Sequence, residues 1–62
     1  MLSEETAAKF ARYILENNSD AVFDIELADP AEAKMVRDQL VLTGCVVTEP
    51  DVHNRLVIER PQ

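Results

Sequence analysis

The chain predicts an α+β fold, an α-β-α-β-β two-layer sandwich in which two helices pack on one face of a three-stranded sheet. Three observations predict it. Residues 3–17 carry a helical apolar stripe, and residues 21–28 alternate with the period of a strand. The junction Asp29-Pro30-Ala31-Glu32 is a helix-start signal, and the only glycine, Gly44, sits where that helix must stop.

The first helix spans residues 3–17. Ser3 is placed to cap it, and Glu4 and Glu5 fall in the first turn, where the helix dipole favours carboxylates. Ala7, Phe10, Ala11 and Ile14 recur at i, i+3, i+4 and i+7 and form one apolar face. Glu5 and Lys9 stand four apart in the favourable order on the other side. Asn17-Asn18-Ser19-Asp20 then breaks the pattern, and asparagine tolerates the left-handed conformation that often ends a helix.

The first strand, Ala21–Ala28, sets Ala21, Phe23, Ile25 and Leu27 on one face and Val22, Asp24, Glu26 and Ala28 on the other. One apolar and one mostly acidic face describe a half-buried strand. The second helix, Pro30–Thr43, is marked at both ends. Asp29 caps it, Pro30 takes the first helical position where a missing N–H costs nothing, and Glu32 follows at capping-box spacing. Gly44 supplies the positive φ of the stop. This helix has two apolar stripes: Ala33, Val36 and Leu40 lie together, with Ala31, Met35 and Leu42 nearly opposite. The first stripe faces the sheet. The second is expected to lie under the neighbouring helix, or else under a second subunit or partner.

Cys45–Glu49 is short and β-branched, a strand. Pro50-Asp51-Val52-His53-Asn54 is a turn-rich link, and Arg55–Arg60 is the last strand, ended by Pro61. A five-residue link favours an antiparallel hairpin. Inserting the last strand between the other two makes every neighbour antiparallel and is preferred over flanking. Both helices then cover one sheet face, and the other carries Val22, Asp24 and Glu26.

Sixty-two residues allow one domain, 1–62. So short a chain buries only about 60% of the surface that its unfolded form exposes, so a monomer is expected to be marginal. One cysteine closes no internal disulfide, and one cysteine with one histidine supplies no four-ligand zinc site. Good packing or oligomerisation is left. Six basic residues against twelve acidic ones, a net charge of −6, argue against nucleic acid and against anionic membrane as partners. The same charge permits a basic protein partner and suits solubility. Met1-Leu2-Ser3-Glu4-Glu5 has neither the basic start nor the apolar run of a secretory leader. The cytoplasm is therefore the expected compartment.

Little in the chain points to catalysis. Cys45 follows a helix C-terminus, where the dipole disfavours a thiolate, and it opens an apolar strand. A small buried hydrophobe is the expected role; a Cys45–His53 pair across the hairpin lacks a third group to orient it. Asp51 stands two residues before His53, a carboxylate that favours the charged imidazole. Asp51, His53 and Cys45 match no recognised metal spacing. Asp20, Asp24, Glu26 and Asp29 form an acidic line, without the asymmetry that acid–base chemistry needs. One glycine at a helix end makes no phosphate loop. Phe10 and Phe23 fall on core faces, and only Tyr13 lies off its helix's stripe, so no platform for stacking bases is set up.

The order strand-helix-strand-strand over residues 21–60, with helix 3–17 ahead of it, is similar to the latter part of small sulfur-carrier proteins of the SirA type. Those proteins carry Cys-Pro-x-Pro at the start of their first helix. Here that helix begins Ser3-Glu4-Glu5-Thr6 with no strand before it, so the family's thiol chemistry transfers to no residue.

These readings converge on a small non-enzymatic interaction or regulatory protein, expected to be homodimeric and without a cofactor. The surfaces it is expected to use are Met35 and Leu42 on the helix and Asp24 and Glu26 on the strand. The alternative is an acidic inhibitor or nucleic-acid mimic, of the kind phage and mobile elements encode, that binds a basic protein surface.

Overall fold

Each helix starts where a side-chain oxygen takes up an orphaned N–H. The structure, a computed structural model, describes residues 3–61. Helix α1 is Glu4–Asn17, and the Ser3 hydroxyl accepts from the Thr6 N–H at 3.1 Å. Helix α2 is Pro30–Leu42, and the Asp29 carboxylate accepts from the Glu32 N–H at 2.9 Å. Both caps are the ones the sequence predicts.

The two helices stop differently. After α2, Gly44 has φ 96°, its N–H donates to the Val41 carbonyl, and the Cys45 N–H donates to the Leu40 carbonyl. This is a Schellman stop, and Leu40 and Cys45 are buried in the same cluster, the apolar contact that accompanies it. After α1 the expected left-handed asparagine is absent: Asn18 is extended at φ −130°. Side chains cap the carbonyls instead. The Asn17 amide donates to Tyr13, the Asn18 amide to Ile14, and Arg60 to Leu15. With three donors satisfying the last turn, no turn of the backbone is needed there.

The strands are shorter than the sequence suggests. Strand β1 is Val22–Glu26, β2 is Val46–Val47 and β3 is Arg55–Glu59. β2 is curtailed for a visible reason. The Thr48 N–H still donates to the Val57 carbonyl, but the Val57 N–H donates to the Thr48 hydroxyl and not to a main-chain carbonyl. A side-chain acceptor has taken over one rung of the ladder. The loop behind it is tightly built: the Asn54 N–H donates to the Asp51 carbonyl, and the Asp51 N–H to Arg55. Asn54, at φ 59°, takes the left-handed position that closes a three-residue hairpin loop.

The sheet order is β1-β3-β2, with both pairings antiparallel. The last strand does insert between the other two. α1 packs chiefly on α2, and α2 on β2 and β3. One apolar cluster joins Ala11 and Ile14 of α1, Val36 and Leu40 of α2, and Leu56 and Ile58 of β3. The Cα radius of gyration, 10.4 Å, matches the ~10.6 Å of a globular chain this long. A single copy therefore packs its own core.

Candidate interaction surfaces

Three turns of α2 divide its apolar residues as the sequence predicts, but α1 covers only part of the outer stripe. Ala33, Val36 and Leu40 are fully buried. On the other side Met35 is half-buried, Ala31 is exposed and Leu42 is 76% exposed. The expectation that the neighbouring helix hides this stripe therefore fails at Leu42. Met35 is thus partly covered, while Leu42 at the end of α2 is left open. Met35 and Leu42 line one shallow depression with Glu4, Asp38 and Gln39. It lies where the start of α1 meets the end of α2, with apolar and polar side chains side by side.

The second surface is the sheet face away from the helices. Asp24 and Glu26 come together there, and Arg55 on the adjacent strand reaches both. Its Nε lies 3.6 Å from Asp24 Oδ2, and a terminal nitrogen lies 4.0 Å from Glu26 Oε1. These are long, exposed contacts, the kind worth well under ~1 kcal/mol each. The acidic line breaks up elsewhere. Asp29 holds the α2 cap, and Asp20 contributes its main-chain carbonyl to Arg60.

This face also holds three valines: Val22, which the sequence places there, and Val46 and Val57, which it does not single out. Val22 is 55% exposed, Val46 66% and Val57 40%. The register sets Glu59 between Val22 and Val46, and Val57 opposite Asp24. The signal was available in the alternation of Arg55, Val57 and Glu59 against buried Leu56 and Ile58. Burial of one parity obliges exposure of the other.

Of the titratable groups singled out in the sequence, Cys45 and Asp51 make local structural contacts. Cys45 is buried, and its sulfur lies 3.4 Å from the Thr43 hydroxyl. That hydroxyl donates its one proton to the Leu40 carbonyl at 2.6 Å, so the thiol is the donor to Thr43. A thiol occupied as a donor on the closing turn of α2 is a packing group. His53 is exposed in the hairpin loop, beyond the other end of β2 from Cys45. The Asp51 carboxylate accepts from the N–H groups of His53 at 2.8 Å and Arg55 at 3.0 Å. Those two bonds, Arg55's first, hold its pKa below the usual aspartate range. Among the described residues no three His, Cys, Asp or Glu side chains are grouped to hold a metal ion. Nor is any described helix long and apolar enough to cross a membrane.

No family model, no curated protein and no solved structure matches the chain. The likeness to sulfur carriers therefore stands on element order alone.

Proposed function

We propose that the protein is a small non-enzymatic interaction or regulatory protein that works as a homodimer in the cytoplasm. One observation carries the reading. Leu42 is left 76% exposed beside half-buried Met35, in a depression they line together with Glu4, Asp38 and Gln39. Exposed apolar side chains set among polar ones are what protein contacts use. A second copy is the partner that this reading favours, because a core this small gains from shared burial. The buried, unpaired thiol of Cys45 suits a reducing compartment.

The alternative, an acidic mimic for a basic protein surface, draws less support from the geometry. Of its four carboxylates, Asp29 is committed to a helix cap, so the line does not continue past the Asp24 and Glu26 pair.

Sedimentation over a range of concentrations tests the leading reading. A dimer is expected, and the double variant Met35→Glu, Leu42→Glu is expected to run as a folded monomer. A wild-type chain that stays monomeric at high concentration, or a double variant that still dimerises, overturns it.

A further inference from the structure

The strand β1 closes one side of the sheet, and among the described residues it has no neighbour beyond it. Its hydrogen-bonding phase follows from two bonds flanking the ladder. The Arg60 N–H donates to the Ala21 carbonyl, and the Leu27 N–H donates to the Asn54 carbonyl. In an antiparallel pair, residues that exchange bonds recur every second position. Phe23 and Ile25 therefore spend their main-chain groups on β3. The N–H and C=O groups of Val22, Asp24 and Glu26 point away from it, and among the described residues nothing takes them up.

Most proteins guard such an edge with a proline, a bulge or an inward charge. β1, Val-Phe-Asp-Ile-Glu, has none of these. Its guard is like charge. A second copy added antiparallel about Asp24 would set that carboxylate against its own image. A basic strand meets the opposite situation. Asp24 and Glu26 are more than half exposed, and their contacts to Arg55 lie on the β3 side at 3.6 and 4.0 Å. Acceptor capacity is left toward the open edge. On the other sheet face Phe23 and Ile25 are only partly buried, although they point at the core.

We propose that the β1 edge takes up an extended basic segment of a partner protein as a fourth strand. The segment alternates lysine or arginine, opposite Asp24 and Glu26, with apolar residues that lie beside Phe23 and Ile25. Main-chain bonds to the free groups of Val22, Asp24 and Glu26 supply affinity, and the alternation supplies specificity. This rests on the reading of the protein as an interaction module and names the chemistry of its partner. It does not depend on the Met35–Leu42 surface.

The test uses the whole chain, labelled with nitrogen-15, and the blocked peptide Lys-Ile-Arg-Val-Lys-Ile. Addition of the peptide is expected to shift the amide signals of Val22, Asp24 and Glu26 and protect them from hydrogen exchange. Replacing Asp24 and Glu26 by lysine is expected to weaken binding about tenfold or more. N-methylation of alternate peptide amides, in either phase, separates edge pairing from loose charge attraction and leaves the protein unaltered. One phase should abolish binding and the other should spare it. Equal binding by both methylated peptides, or unshifted β1 amides in the presence of excess peptide, overturns the proposal. So does concentration-dependent protection of the same amides without peptide, which would mean that a second copy occupies the edge. A dimer broken by the Met35 and Leu42 substitutions alongside an inert β1 edge would sink this inference and leave the broader function standing.

Discussion

The guanidinium of Arg60 donates to the main-chain carbonyl of Leu15, 45 residues earlier in the chain. The same side chain donates through Nε to the Asp20 carbonyl at 3.0 Å, and its charge sits 5.5 Å from the centre of the Phe23 ring. α1 has no basic residue in its own last turn, so the far end of the chain brings the cation that its dipole favours. One residue thus ties the first helix, the first strand and the last strand together.

Removing that tie should be felt globally. Arg60→Met keeps much of the apolar stem and loses the charged donors, and is expected to cost about 2 kcal/mol. Arg60→Lys should recover only part of this, since one ammonium lacks the planar fork that reaches both carbonyls. Urea unfolding of the three proteins checks both statements. A methionine variant as stable as wild type would show that the bonds to Leu15 and Asp20 contribute nothing net.

At Gly44 the cost of a side chain is conformational rather than steric. An added Cβ would stand 3.6 Å from Pro61, an ordinary contact, but φ is 96°. Gly44→Ala is therefore expected to destabilise by about 1–2 kcal/mol, and Gly44→Asn by less, because asparagine tolerates positive φ. Thermal melts of the two variants give the ranking, and equal losses would contradict it.

Leu40 and Leu42 lie two residues apart and should behave oppositely. Leu40 is fully buried, and Leu40→Ala is expected to cost roughly 2–5 kcal/mol. Leu42→Ala should change the stability of the monomer by less than about 0.5 kcal/mol. Denaturation at a concentration where sedimentation shows a monomer isolates the monomer term.

Asp51 gives the hairpin a dependence on acid. Its carboxylate accepts two main-chain bonds in the fold, which lowers its pKa there, and loses them on unfolding. Below the ordinary aspartate range the unfolded chain then holds more protons than the native one, so stability falls with pH. The contribution is complete above the unfolded pKa and is lost as pH drops through the lower native value. Asp51→Asn should remove this part of the acid sensitivity. Urea midpoints measured from neutral pH downward for both proteins should converge in acid, and parallel curves would rule out the linkage.

Both helix starts, the stop at Gly44 and the alternation of β1 were legible because each is set by neighbours within a few residues. Ser3, Asp29, Pro30 and Gly44 act on their own turn, whatever the rest of the chain does. The end of α1 at Asn17 was legible in the polar cluster that follows it, but not how its carbonyls are capped: one cap comes from Arg60, and no local pattern announces a partner that distant. β2 was overextended because the sequence cannot show that the Thr48 hydroxyl takes the Val57 N–H. Of the surface residues, Met35 and Leu42 could be placed on one stripe by helical geometry, as Asp24 and Glu26 could on one strand face. That Met35 would be half-buried and Leu42 left open could not be read, because coverage depends on how the elements meet.

Taken alone, then, the sequence determined the elements, their polarity and the α+β class, since caps, breakers and periodicity are local properties of the chain. The tertiary structure alone decided that Leu42 stays open and that Arg55 stands between Asp24 and Glu26. Exposure and pairing across strands are properties of what packs beside a residue, and that is settled only when the whole chain has closed on itself.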